Sequence, residues 1–132
     1  FIAQLDKYDA LDFHYVQSPD LPVMQLLEEL EPRIHTGYVY SIAYGKLPES
    51  EADFISVEQS FASKNIQQQV QDQDKELFVW TLNDKRDMQQ FYEQNVDGII
   101  TDRPDEALSI RQEFAEEEHF IRRILNKIKI IY

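Results

Sequence analysis

The sequence of 132 residues contains no cysteine and only three glycines, and it has 13 basic residues against 25 acidic ones. Because cysteine is absent, disulfide bonds and thiolate chemistry are excluded, although the cellular compartment is left open. The formal net charge of −12 at pH 7 argues against nucleic-acid binding, which needs a basic surface. A small phosphodiester substrate remains compatible with this charge, because a bound metal ion can invert the charge of a single pocket.

Long apolar runs and nucleotide-binding motifs are also missing. No run approaches the ~18 residues of a membrane-spanning helix, and no signal peptide is visible. Localisation stays open, since segments upstream could tether a longer parent protein to a membrane. Neither a GxGxxG motif nor a P-loop occurs, so a nucleotide-binding fold has no support beyond strand-helix alternation. The 42% hydrophobic and 12% aromatic content fits one folded globular domain.

Strand-like and helix-like segments alternate along the chain. Runs of strand-forming residues occur near residues 12–18, 34–40, 53–57, 77–82 and 97–101, and helical stripes separate them. Asp20 followed by Pro22 predicts one helix start, and Pro104 predicts another. Gly37 within the second strand is expected to let another group approach the backbone closely. The alternation predicts an α/β fold with five parallel strands.

Two motifs near the end of the chain carry a family resemblance. WTLND begins at Trp80, and VDGIITDRPD begins at Val96. Together they resemble the carboxy-terminal signature of the glycerophosphodiester phosphodiesterase family. Upstream pieces fall in the order found in that family and extend the resemblance over residues 1–114. They are YVQS from Tyr15, EPRIHTGY from Glu31 and DFIS from Asp53.

The resemblance implies a (β/α)8 barrel that hydrolyses glycerophosphodiesters to an alcohol and glycerol 3-phosphate with a divalent metal, Mg²⁺ or Ca²⁺. Five βα units cannot close an eight-stranded barrel, so residues 1–114 are expected to be the last five units of a partial TIM barrel. The sequence begins at Phe1 rather than Met, and we expect it to be an excised piece of a longer chain. Residues 115–132 are predicted to form a separate amphipathic helical tail that the resemblance does not explain.

Candidate site residues lie where the predicted strands end, because parallel barrels place their sites at that edge. Trp80 resembles the tryptophan that lines the glycerol pocket in the family, and its alternative role is core packing. Gln17 resembles a strand-end glutamine whose amide could reach substrate oxygens, and Thr81 follows Trp80. We predict substrate binding for Trp80, Gln17 and Thr81.

Other polar residues at the strand ends have simpler explanations. Ser18 is predicted to begin the turn at Pro19. Thr101 and Asp102 could touch a phosphate, but Asp102 is more simply a helix cap before Pro104.

Catalytic and metal-binding residues are not predicted in this chain. The family draws its two histidines and acidic metal ligands from HRG, ENT, ExD and HD motifs of its amino-terminal strands, and this chain contains no HRG, ENT or HD motif. His14 and His35 sit near the beginnings of strands, and His119 lies in the tail. We therefore expect a fragment that supplies a pocket wall without the catalytic machinery. The alternative is a non-catalytic barrel-derived binding or assembly module. Exposed strand edges also predict a homo-oligomer.

Overall fold

Five β-strands form one parallel sheet whose strand order follows the sequence, in a computed structural model that describes residues 1–41, 46–94 and 96–125. The strands are β1 (Tyr15–Ser18), β2 (His35–Tyr40), β3 (Phe54–Glu58), β4 (Glu76–Trp80) and β5 (Gly98–Ile99). The α-helices are α1 (Ile2–Lys7), α2 (Leu21–Leu30), α3 (Lys64–Asp72), α4 (Lys85–Glu93) and α5 (Pro104–Leu125), with short 3₁₀ turns at Leu11–Phe13 and Gln59–Phe61. The predicted parallel α/β alternation is confirmed.

Capping residues set the helix starts after the strands. Asp20 accepts a hydrogen bond from the backbone N–H of Val23 at 3.2 Å at the start of α2, and Pro22 lies in the first turn as predicted. Asp84 accepts from the N–H of Arg86 at 2.8 Å at the start of α4. These side chains satisfy helix N–H groups that have no partner within the helix, so each strand can turn sharply into its helix.

The helices cover one face of the sheet. Ile55, Val57, Leu77 and Val79 alternate along β3 and β4, and all are buried among apolar side chains of α3, α4 and α5. Alternate residues of the same strands point to the opposite face, because successive side chains of a strand lie on opposite sides. We call that opposite face the inner face.

Aromatic rings pack on the inner face near the beginnings of the strands. The rings of Phe54 and Phe78 stack with centroids 4.6 Å apart, and each lies 5.6 Å from the ring of Tyr15. Gly37 leaves room for this layer, because a Cβ atom there would lie 2.1 Å from carbons of the Phe54 ring. The close approach predicted at Gly37 is therefore confirmed.

The strand ends are staggered across the sheet. Ser18, the last residue of β1, aligns through Tyr38 and Ile55 with Leu77, whereas β4 continues to Trp80. Closing a parallel sheet into a barrel requires such a progressive offset. The arrangement is thus consistent with a segment of a barrel.

Some element bounds differ from the sequence-based expectation. The first strand begins at Tyr15 because His35, opposite Tyr15, is where the pairing with β2 starts, and residues 11–13 form a 3₁₀ turn instead. The last strand is only Gly98–Ile99, although the N–H of Ile100 still donates to the carbonyl oxygen of Val79 at 2.8 Å.

The last helix runs without interruption past the predicted boundary after Phe114. It contains neither glycine nor proline after Pro104, so nothing in its sequence ends it there. The division into a domain 1–114 and a tail 115–132 remains a prediction, and residues 126–132 of that tail lie outside the described residues. In the described part of the chain, no helix has both the length and the apolar character required to cross a membrane.

Candidate functional site

Trp80 and Glu58 lie side by side at the carboxyl ends of β4 and β3. They are register partners, and their neighbours Val57 and Val79 are buried on the helix-covered face. Trp80 and Glu58 therefore both point to the inner face. This is the edge at which parallel barrels hold their sites.

The indole of Trp80 has an unusual environment. The side chain is half-buried, and its Nε1 atom is shielded from solvent with no hydrogen-bond partner among the described residues. Buried indole N–H groups usually find an acceptor, because an unpaired buried donor costs free energy. Trp80 thus offers an apolar ring face and one unused donor at the site edge.

Glu58 was not identified from the sequence. Its carboxylate accepts hydrogen bonds from the backbone N–H of Ser60 at 3.1 Å and from the Ser60 hydroxyl. The third strand was predicted to end at Val57, one residue too early, which left Glu58 outside it. The alternation Phe54, Ser56, Glu58 could have placed this carboxylate on the inner face beside Trp80.

A side-chain network joins the segments that follow β4 and β5. Asn83 donates from Nδ2 to Oδ2 of Asp102 at 2.8 Å, and its Oδ1 accepts from the Asp102 backbone N–H at 2.9 Å and the Thr101 hydroxyl at 3.1 Å. The Thr101 hydroxyl also accepts from the N–H of Arg103 at 2.9 Å. The two motifs that carry the family resemblance are therefore joined by hydrogen bonds.

This network changes the interpretation of Thr101 and Asp102. The Asp102 carboxylate accepts a hydrogen bond from Asn83, 19 residues earlier in the chain, rather than from the first turn of α5. The single proton of the Thr101 hydroxyl is already donated, as is the Asp102 N–H. The two residues hold the site edge together, and the Thr101 hydroxyl has no proton left to donate to a phosphate.

The predicted site residues are only partly brought together. Thr81 is exposed and follows Trp80 through a cis peptide bond. Gln17 is exposed on the inner face of β1, where it aligns through Gly37 and Phe54 with Glu76, four residues before Trp80. Strands β2 and β3 separate Gln17 from Trp80, which corresponds to about 14 Å across the strands, and the four-residue offset adds about 13 Å along them.

The remaining polar candidates have structural roles. The Ser18 hydroxyl accepts from the N–H of Asp20 at 3.0 Å, so the predicted turn role is confirmed. His14 lies before β1, with its Nδ1 2.6 Å from the carbonyl oxygen of Ala10, and His35 begins β2 with its ring centroid 5.0 Å from that of Tyr15. Both histidines lie at the amino ends of their strands, away from the site edge.

Acidic residues do not assemble into a metal site within residues 1–41, 46–94 and 96–125. No group of three or more His, Asp or Glu side chains in these ranges is placed to hold an ion. Hydrogen bonds from the Arg33 guanidinium, two at 2.8 Å, hold the pKa of the Glu31 carboxylate below its usual range. This pair precedes β2, at the edge opposite the site.

The model of the glycerophosphoryl diester phosphodiesterase family matches residues 2–106. A glycerophosphodiester phosphodiesterase from Parabacteroides distasonis has a similar structure, with a TM-score of 0.72 and 19% identity over 86% of this chain and 49% of its own. One from Agrobacterium tumefaciens gives a TM-score of 0.66 and 18% identity over 84% of this chain and 50% of its own.

An Oleispira antarctica phosphodiesterase, solved with the product sn-glycerol 3-phosphate, gives a TM-score of 0.64 and 18% identity over 80% of this chain and 47% of its own. This chain thus spans about half the length of these similar structures. At such identities the likeness establishes the fold alone, an α/β segment of a (β/α)8 barrel. No curated protein sequence matches the chain significantly.

Proposed function

Since the chain belongs to the glycerophosphoryl diester phosphodiesterase family, we propose that it forms the substrate-pocket wall of an enzyme that hydrolyses glycerophosphodiesters to an alcohol and glycerol 3-phosphate. The observation that carries the proposal is the half-buried Trp80, with an unpartnered buried N–H at the carboxyl edge of the sheet. A small polyol phosphate presents carbon on one side and oxygens on the other. An indole that offers an apolar face and one donor is complementary to that pattern.

Three residues are proposed to bind this substrate. The Trp80 ring packs against the glycerol carbons, and its N–H donates to a substrate oxygen. Thr81, exposed beside it, contributes a hydroxyl that can donate and accept. Gln17 contacts the substrate only if the closed barrel curves β1 toward β4, and its amide can then donate and accept at the opposite wall.

The chemical steps are proposed to depend on residues outside this chain. Hydrolysis needs an acid to protonate the leaving oxygen, a base or nucleophile, and stabilisation of charge. Neither His14 nor His35 lies at the site edge. A divalent metal, Mg²⁺ or Ca²⁺, is implied by the family, but the described acidic residues do not fit one. The first three βα units of a longer parent would supply the catalytic groups and the metal ligands.

An activity assay tests where the chemistry resides. We expect the 132-residue chain to show no turnover of glycerophosphocholine with added Mg²⁺ or Ca²⁺, above a blank without protein. Turnover that is lost in both His14→Ala and His35→Ala variants would contradict the proposal, because it would place the catalytic groups within this chain. Co-expression with the amino-terminal part of a homologous barrel is the positive control.

A second candidate function is a non-catalytic binding or assembly module that self-associates. It is favoured by exposed apolar side chains on the edge strand β1 and on α2, the helix that follows it: Tyr15 is 54%, Leu26 54% and Leu30 63% exposed. The coding sequence upstream of Phe1 discriminates between the candidates. Motifs of the HRG and ENT type there favour the enzyme, and their absence leaves the binding module.

A further inference from the structure

We propose that Asn83 is a positioning residue that holds the Trp80–Thr81 segment at the site edge by bonding it to the segment after β5. This inference rests on the proposed function of Trp80 as a pocket wall. It assigns to Asn83 and Asp102 a role in orienting another residue, with no contact of their own with substrate.

The backbone is fixed on both sides of Trp80 and Thr81. Val79 and Leu82 are both fully buried. Ile100 ties them together, because its N–H donates to the Val79 carbonyl oxygen at 2.8 Å and its own carbonyl oxygen accepts from the Leu82 N–H at 2.9 Å. Only Trp80 and Thr81 lie between these two anchors.

Asn83 makes a side-chain connection immediately beyond Leu82, the second of these anchors. Its amide uses both ends, since Oδ1 accepts two hydrogen bonds and Nδ2 donates one to the Asp102 carboxylate. A carboxylate at position 83 could still accept the first two bonds. It could not donate to Asp102, and two carboxylate oxygens would then face each other across about 3 Å, which is repulsive.

The amide of Asn83 and the carboxylate of Asp102 can be exchanged without losing their hydrogen-bond complementarity. In the double variant Asn83→Asp/Asp102→Asn, the carboxylate at position 83 accepts all three hydrogen bonds, and the new amide at position 102 donates one of them. The net charge equals that of the wild type. Comparing the single and the exchanged variants therefore separates the effect of an added negative charge from the effect of losing the hydrogen bond between residues 83 and 102.

The experiment uses the single tryptophan of the chain, whose indole N–H gives one isolated signal in a ¹H–¹⁵N spectrum of the full 132-residue protein. We expect Asn83→Asp to displace this signal in the free protein and to weaken binding of sn-glycerol 3-phosphate about fivefold. The exchanged pair should restore the signal position and bring the affinity within about twofold of wild type. Asn65→Asp, an exposed substitution of the same chemistry on α3, should leave both unchanged.

The outcomes separate this inference from the proposed function. An unchanged indole signal in free Asn83→Asp, or no recovery in the exchanged pair, overturns the positioning role. If sn-glycerol 3-phosphate leaves the wild-type indole signal in place, the proposed function of Trp80 fails, while the comparison of free proteins still decides the role of Asn83. Should Asn83→Asp not fold, the exchanged pair decides by itself: a wild-type indole position supports the inference and a displaced one overturns it.

Discussion

At the scale of single residues, Trp80 combines two contributions that substitutions can separate. Trp80→Phe keeps an aromatic face and removes the N–H, whereas Trp80→Ala removes both. We expect Trp80→Phe to weaken binding of sn-glycerol 3-phosphate by roughly fivefold, the value of one hydrogen bond, and Trp80→Ala to weaken it further. Saturation-transfer NMR on the chain gives both affinities. Equal affinity in wild type and a folded Trp80→Ala variant would reduce Trp80 to a packing residue.

Gly37 shows how one missing side chain determines the packing of the inner face. A methyl group there would meet the Phe54 ring at 2.1 Å, and that ring is 1% exposed and stacked on Phe78, so it cannot move away easily. We expect Gly37→Ala to lower the free energy of unfolding by about 1–3 kcal/mol, as measured by urea denaturation.

Gly98 provides a matched control for this substitution. Its added methyl group would lie 3.0 Å from the nearest atom of the Phe78 ring, a much smaller overlap. Gly98→Ala should therefore cost less than Gly37→Ala. The reverse order of the two stabilities would contradict the packing argument.

At the scale of the elements, the amino ends of two pairs of strands are joined by the same kind of hydrogen bond, from a strand N–H to an Asp carboxylate. Asp53, just before β3, accepts from the backbone N–H of Thr36 in β2 at 2.8 Å. Asp97, just before β5, accepts from the N–H of Leu77 in β4, also at 2.8 Å. Each carboxylate satisfies a strand N–H at the edge opposite the site, where barrel residues serve stability.

The Asp97 contact predicts a measurable loss of stability. Asp97→Ala would leave the N–H of the buried Leu77 without this acceptor, and we expect a loss of about 1–3 kcal/mol in the free energy of unfolding. Asp97→Asn keeps a carbonyl acceptor and should lose less. Asp105→Ala, an exposed substitution in the first turn of α5, should change stability by less than about 1 kcal/mol. If Asp97→Ala lowered the free energy of unfolding no more than Asp105→Ala, the stabilising role of the Asp97 hydrogen bond would be contradicted.

At the scale of the whole molecule, both outer edges of the sheet border apolar surface. Leu26 and Leu30 are exposed on α2, the helix that follows the edge strand β1. Beside the β5 edge lies a groove of about 630 Å³ lined mainly by apolar side chains, among them Tyr92, Ile99 and Leu108. In a closed barrel, neighbouring βα units would cover both regions.

These open edges predict self-association of the chain. Burying a few hundred Å² of apolar surface yields several kcal/mol at about 25 cal/mol per Å², against an entropic cost of docking of about 4 kcal/mol or more. We expect sedimentation velocity at micromolar concentration to detect a dimer or larger oligomer. Leu26→Glu/Leu30→Glu should shift it toward monomer, and Gln71→Glu on α3 should not. A compact wild-type monomer at every concentration would contradict this prediction.

Features that depend on near neighbours in the chain could be predicted from the amino-acid sequence. Alternation of strand and helix periods, the cap at Asp20 and the close approach at Gly37 were all predictable, because each depends on local backbone geometry or residue type. The paired motifs at Trp80 and Val96 were sufficient to indicate the family. The edge of the sheet at which a site is proposed also followed, since parallel strands end together.

Contacts between segments that are distant in sequence could be seen only in the folded structure. Glu58 meets Trp80 only through the register of β3 against β4, and Asn83 meets Asp102 only because β4 and β5 are neighbours. The late start of β1 at Tyr15 reflects where its partner strand begins. Register and strand ends are set by hydrogen bonds between segments far apart in sequence, and no local pattern contains that information.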